Sequence, residues 1–284
     1  MRYPFIDEHK KAWPVTLMCG VLGVSRSGYY AWAERDLSAC LLSNIMLDRR
    51  IREIFSMHRQ RYGAPRIAKA LHDAGIMCSE NRVARRMRAL GLQAIQAKKF
   101  KVTTDSTHSQ PVAPDLIEQD FRAAAPNQKW TSDISSVWTD EGWLYLAVVM
   151  DRYSRAIVRW SMDRQMTHQL VCDALTMALF RRGFPKNTII HSDRGSQYGS
   201  QRYQQLIRNN SLCGSMGRRA TCDDNAVTES FFHTLKVELV HPERYVTRRR
   251  AQSSIFAYIE TYYNRLRKHS AIEHRIPMVF EQAA

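Results

Sequence analysis

"KWTSDISSVWTDEGWLYLAVVMDRYSRAIVRWSMD", Lys129 to Asp163, holds three runs of β-branched and aromatic residues. Asp140-Glu141-Gly142 parts the first from the second, and "DRYSR", Asp151 to Arg155, parts the second from the third. Runs this close, broken by short turn signals, predict strands joined as antiparallel hairpins. Downstream the period lengthens. "THQLVCDALTMALFRRG" sets Leu170, Ala174, Leu175, Ala178 and Leu179 at helical spacing and closes on Gly183. "NTIIHSD" predicts a short buried strand and "SQRYQQLIRNN" a helix; another helix starts near Asn225. "RAQSSIFAYIETYYNRLRKHS" predicts an amphipathic helix with a basic end. The order β-β-β-α-β-α-α predicts an α/β domain with a mixed sheet, antiparallel first and then parallel through a crossover.

Upstream the chain is helical. In "PVTLMCGVLGVSRSGYYAW" an apolar face of Val15, Leu17, Met18 and Leu22 meets Gly23 as a breaker and Ser25 as a cap, the outline of a helix-turn-helix. "IMLDRRIREIFSMH" places Ile45, Leu47, Ile51, Ile54 and Phe55 near helical spacing. "RQRYGAPRIAKALHDAGI" enters a helix through Gly-Ala-Pro and leaves it at Gly75, and "SENRVARRMRALGL" offers Ser79 as N-cap. In that last helix Val83, Met87 and Leu90 form an inner stripe, with Asn81, Arg82, Arg85, Arg86 and Arg88 on the other faces. An Arg-rich face behind an apolar stripe suits a DNA groove and its phosphates; a solvated surface helix has the same pattern. Arg61, Arg66, Arg82, Arg85 and Arg86 are the expected DNA contacts of this region.

Charge points the same way. Lys plus Arg is 42 against 27 Asp plus Glu, a net of +15, which implies a polyanionic partner. From Asn44 to Lys101 fourteen basic residues face four acids, so the excess concentrates on the helical segment. No apolar run reaches the roughly 18 residues that span a bilayer, and the N-terminus does not resemble a signal peptide, so a cytoplasmic, nucleoid-associated protein is expected. The six cysteines are scattered with no C-x2-C pair, which predicts reduced thiols rather than a zinc site. A polar, proline-bearing stretch separates the two halves. The expected division is 1–43 as a short helix-turn-helix-like segment, 44–95 as a basic helical DNA-binding domain, 96–125 as linker and 126–284 as the α/β domain with its C-terminal helix.

Three acids stand out by position. Asp133 lies in the first strand run, Asp193 ends the fourth, and Glu229 lies in the helix that starts near Asn225. If the first and fourth strands are neighbours, Asp133 and Asp193 meet near adjacent strand ends, and a helix packed alongside brings Glu229 to them. Three carboxylates suit two hard divalent cations roughly 3.5–4 Å apart, which clamp the attacking and leaving oxygens of an in-line displacement at phosphorus.

The segments "WTSDIS", "IIHSDRGSQY", "CDDNAVTESFFHTLKVEL" and "YNRLRKHSAI", in this order, resemble the catalytic region of insertion-sequence transposases related to retroviral integrases. The likeness is to the second-frame protein (OrfB) of the IS-three family and extends upstream through "RYGAPRIAKAL" and "NRVARRMRALGL". The 35 residues between Asp193 and Glu229 match that family's D,D-35-E spacing. The resemblance implies a ribonuclease-H-like mixed sheet flanked by helices and preceded by an all-α helix-turn-helix region. It implies a DDE-type transposase that cuts DNA at the ends of an insertion sequence and joins the 3′ end to target DNA. Asp133, Asp193 and Glu229 match the catalytic and metal-binding triad for Mg2+, with Mn2+ as substitute, two ions per site. Lys236 matches a family lysine, and seven residues is close to two helical turns, so it shares a face with Glu229. Gln197, Tyr198 and Asn225 are weaker DNA-contact candidates, with Tyr198 equally suited to cover the core. Implied partners are the element's terminal inverted repeats and target DNA, an OrfA-type protein or frameshift fusion with it, and further copies of the chain on DNA. The alternative is a catalytically silent DNA-binding regulator derived from a transposase. His191 reads as a satisfied, partly buried histidine, Asp151 as a partner of Arg152 or Arg155, and Trp130, Trp143 and Trp160 as core or surface-packing aromatics.

Overall fold

The computed structural model of the chain describes residues 2–95, 113–116, 122–217 and 226–284. Among these, strands β1 (Lys129–Thr139), β2 (Gly142–Asp151), β3 (Ile157–Asp163), β4 (Ile189–Ser192) and β5 (Cys213–Met216) form one sheet in the order β3-β2-β1-β4-β5. The first three strands pair antiparallel, as their short turn signals predict, and β4 and β5 add in parallel beyond β1. Gly142 makes the first turn with φ of +100°, backbone that a residue with a Cβ enters only under strain. β5 is an addition to the expected order. Its sequence, Cys-Gly-Ser-Met, has no β-branched or aromatic residue, and only its pairing with Ile189–Ser192 makes it a strand.

Alternation along β2 builds a core on each face of the sheet. Leu144, Leu146, Val148 and Met150 face helix α10 (Ala226–Leu235) and helix α11 (Arg248–Ala257), against Phe231, Phe232, Leu235 and Ile255. Ala147 and Val149 face the other way, onto Leu175, Ala178 and Leu179 of α7 (His168–Arg182), and onto Tyr203 and Ile207 of α9 (Gln201–Asn209). Gly183 ends α7 in the left-handed conformation at φ +65°, as its position predicts.

The N-terminal region is helical throughout its described elements: α1 (Arg2–His9), α2 (Val15–Leu22), α3 (Arg26–Ala33), α4 (Ala39–Met57), α5 (Ala64–Asp73) and α6 (Glu80–Ala89). Gly23 closes α2 at φ +62°, and Ser25 caps α3 by accepting from the Gly28 N–H. Ile6, Met18, Cys19 and Tyr29 form a small core for α1–α3, whereas Leu17 of the expected apolar face is exposed. A second core joins α4, α5 and α6 through Leu47, Ile51, Phe55, Ile67, Leu71, Val83 and Met87; Ile45 stays outside it. Ser79 caps α6, its Oγ accepting from Arg82 N–H at 3.3 Å. Ser79→Ala removes that acceptor and is expected to destabilise the α4–α6 unit by about 1 kcal/mol. A denaturant midpoint followed by helical circular dichroism measures this; an unchanged midpoint shows that water replaces the cap.

Candidate active site

β1 and β4 run parallel with Thr131 beside His191. Carried two residues on, that register sets Asp133 beside Asp193 where β4 ends. Asp193 opens a tight turn, its Oδ1 accepting from the Gly195 N–H at 2.9 Å. A Cβ at residue 195 would lie 3.0 Å from that oxygen, so glycine lets the carboxylate fold over its own loop. Asp133 shares a sheet face with Thr131, two residues earlier. Thr228 Oγ1 donates to Thr131 Oγ1 at 3.0 Å and so pins the start of α10 against β1. Glu229 comes next, exposed at the rim, while Phe231 and Phe232 seat the helix on the sheet. Lys236 is half-buried where α10 ends.

Electrostatics tie these groups into one site. Burial pushes the Asp133 carboxyl up to about 8, and the Asp193 carboxylate adds to the rise. A hydrogen bond from the Ile134 N–H to Asp133 Oδ1, 2.7 Å long, opposes it, Glu229 raises it again, and Lys236 lowers it. Burial pushes the Lys236 ammonium down, and Asp133 partly restores it. The site therefore holds more negative charge than its own lysine balances. That is the condition in which a hard cation binds, because it lets the crowded carboxylates ionise together. The donor set is all oxygen, which fits magnesium or manganese. Among the described residues no group of three or more His, Cys, Asp or Glu side chains is gathered closely enough to hold a metal ion. Asp133 and Asp193 each spend one oxygen on a backbone N–H instead.

Other expected contacts fall elsewhere. Tyr198 is buried in the core, its hydroxyl 3.1 Å from Ser132 Oγ and its ring edge-on to Tyr203, so it packs behind the site and does not reach DNA. Gln197 Nε2 donates to the Met166 carbonyl at 3.1 Å, tying the Asp193 loop to the segment before α7. Asn225 lies outside the described residues. His191 is fully buried, deeper than expected, with Nδ1 2.9 Å from Ser215 Oγ on β5. Asp151 accepts from the Asn127 and Tyr153 N–H groups at 2.8 and 2.9 Å, so its carboxylate serves the backbone at the strand end.

The arginines need the largest revision. Arg86 forks onto Asp48 of α4 at 2.7 and 2.5 Å, and Arg82 donates to Ser43 Oγ and Asn44 Oδ1, both at 2.9 Å. These two clamp α6 onto α4. Arg61 is buried, with Nε donating to the Glu238 carbonyl at 3.1 Å, and Arg66 lies 3.8 Å from the Glu238 carboxylate. Both join the helical unit to the catalytic half. Arg85 and Arg88 are exposed on α6. Glu238, which sequence reasoning passed over, had one signal: Pro242 stands four residues beyond it.

Among the described residues no helix is long and apolar enough to cross a membrane. The integrase core domain family matches residues 123–222, a second integrase core family matches 229–283, and an HTH-like domain matches 44–100. The chain is 45% identical over 283 residues to the transposase InsF for insertion sequence IS3A of Escherichia coli strain K12, covering 99% of this chain and 98% of that protein. It is 43% identical to an insertion element IS600 31 kDa protein of Shigella sonnei, over 93% of this chain and 97% of that protein. Among solved structures it is similar to the HTLV-2 integrase catalytic core domain, at 17% identity and a TM-score of 0.44, over 56% of this chain and 99% of that one.

Proposed function

The chain belongs to the transposase family of the IS3 insertion sequences, and on that premise we propose that it cuts and rejoins DNA at the ends of its element, with Asp133, Asp193 and Glu229 as the catalytic carboxylates. The geometry around one carboxyl carries the assignment of residues: the β1–β4 register sets Asp133 beside Asp193, Thr228 pins the Glu229 helix to β1, and the charges of Asp193, Glu229 and Lys236 all act on the Asp133 carboxyl, which burial raises. Four positions spread over 104 residues of sequence thus act on one point. A bound pair of divalent ions, magnesium or manganese, supplies activation of the attacking oxygen and neutralisation of the departing one.

The chain's own residues do the rest. Asp133, fixed on a central strand, and Asp193, fixed by its turn, hold two ligands in register. Glu229 closes the set from a helix pinned by Thr228. Lys236 presents a cation beside Asp133, suited to the phosphate of the element's terminal nucleotide. Cleavage forms a bond from phosphorus to a water oxygen as the bond from phosphorus to the 3′ ester oxygen breaks; the water loses its proton to solvent, and the departing oxygen takes one up as the 3′-hydroxyl. In joining, a DNA 3′-hydroxyl takes the place of water and loses its proton to solvent. Arg85 and Arg88, exposed on α6, are suited to the phosphates of the duplex. An OrfA-type protein, or a frameshift fusion with it, supplies end recognition, and two ends require at least two copies of the chain.

The test incubates the fusion protein with duplexes carrying the element ends and magnesium. Wild type is expected to nick and join the ends, and Glu229→Gln to do neither. Equal products from both sink the assignment of Glu229, and a wild type without products on any element end favours a silent DNA-binding regulator.

A further inference from the structure

The helix that carries Glu229 does not end as an α-helix. Pro242 lacks an N–H, and its ring crowds the carbonyl four residues back, which is that of Glu238. The chain responds by widening to a π-turn over Lys236–Val240, with His241 N–H donating to the Lys236 carbonyl at 2.7 Å. Glu238 is buried, and Pro242 cannot supply its carbonyl with a donor. Arg61, from the helical unit 177 residues earlier, does so through Nε at 3.1 Å. Its guanidinium also lies over the rings of Tyr262 and Tyr258, 4.6 and 5.0 Å from their centroids, in a second π-turn at Tyr258–Tyr263.

The Glu238 side chain is held as firmly. Arg267 forks onto its carboxylate at 2.7 to 3.0 Å, Tyr258 donates its hydroxyl at 2.8 Å, and Arg66 of the helical unit stands 3.8 Å away. Tyr62 extends the joint by accepting from the Lys268 N–H at 2.8 Å and donating to the Leu266 carbonyl at 3.2 Å. One glutamate, two residues after Lys236, therefore receives the helical unit on its main chain and on its side chain.

We infer that Arg61, Arg66 and Glu238 are positioning residues of the active site, through which docking of the helical unit fixes the end of the helix that bears Glu229 and Lys236. The inference rests on the proposed transposase reading for its catalytic consequence alone. Without Arg61 a buried carbonyl loses its donor, and the π-turn next to Lys236 loses the contact that holds its widened form. Lys236, the first residue of the π-turn, shifts with it, and so does Glu229, about two turns earlier on the helix that runs into it. A helix that moves by about 1 Å at the reacting atoms slows chemistry by up to about a hundredfold without loosening substrate.

The test uses the full chain and two readouts. Hydrogen exchange followed by mass spectrometry compares wild type, Arg61→Ala, Arg61→Lys and Glu238→Gln. Arg61→Ala and Glu238→Gln are expected to speed exchange of the peptide spanning 226–240 by about tenfold or more, with the β1–β3 peptides unchanged. Arg61→Lys keeps a donor and is expected to recover part of the protection. In element-end cleavage, the rate at saturating DNA is expected to fall roughly tenfold to a hundredfold in Arg61→Ala, with half-saturating DNA held within about twofold. Wild-type exchange over 226–240 in Arg61→Ala overturns the inference. So does faster exchange with an unchanged rate, or a loss of DNA affinity alone. Exchange needs no activity, so an inactive wild type counts against the transposase reading and leaves the joint to be judged by protection.

Discussion

Asp133→Asn is expected to abolish end cleavage and joining, by a thousandfold or more and so about 4 kcal/mol or more of barrier, while stabilising the metal-free protein at pH 8. Both effects come from one crowded carboxyl. Its ordinary value of 3.8 is pushed up to about 8 in the fold, first by burial and then by Asp193. The folded chain thus holds this proton more tightly than the unfolded chain does. The stability that the proton contributes is fully present below about pH 4, falls as pH rises, and is lost by about pH 8. Asparagine keeps the shape of the protonated acid and cannot ionise, so it removes that slope. After allowance for solvent relaxation the gain at pH 8 is about 1–3 kcal/mol. Denaturant melts of the metal-free proteins at pH 4 and pH 8 measure it: the two proteins are expected to converge at pH 4 and separate at pH 8. Magnesium is expected to stabilise wild type and not the variant. If wild type equals or exceeds the variant at pH 8 without metal, the charge crowding inferred for the site is wrong.

That tension explains which parts of the molecule were legible in the sequence. Carboxylates placed on regular elements could be located by pattern. The alternation in β2 separates Leu146, Val148 and Met150 from Ala147 and Val149, and the apolar spacing in α7 supplies the crossover that makes β4 parallel to β1. Once β1 and β4 are neighbours, Asp133 and Asp193 follow by counting. β5 had no such signal, because Cys213 to Met216 become a strand only through β4. The arginines failed for a related reason. Helical spacing gives the face of Arg82 and Arg86 but not the presence of Asp48 and Asn44 on the next helix. Arg61 is further still from local reading, since its partner is a main-chain carbonyl 177 positions away. The sequence leaves Tyr198 open between DNA contact and cover for the core, and the short helix α8 (Ser196–Gly199) turns it into the core against Ser132.

Arg267→Met is expected to produce the largest loss of folding stability of any single change considered, about 3–5 kcal/mol. Arg267 and Glu238 are 3% and 7% exposed, so neither charge can fall back on water. Methionine fills similar volume but leaves the Glu238 carboxylate with the Tyr258 hydroxyl and the more distant Arg66. Arg66 at 3.8 Å is an imperfect substitute, which favours the lower half of that range. Replacing both partners by apolar residues, as in Glu238→Leu with Arg267→Met, removes the stranded charge as well as the pair. A buried ion pair exchanged whole for packed side chains is often neutral, so the double variant is expected to recover most of the loss. Denaturant midpoints of the two single variants and the double variant close the cycle. A double variant as unstable as Arg267→Met shows that packing around the joint, and not the uncompensated charge, sets the loss. Recovery of stability without recovery of end cleavage shows something else. The pair then contributes little net folding energy, and its carboxylate is kept in order to hold the π-turn beside Lys236 in one geometry.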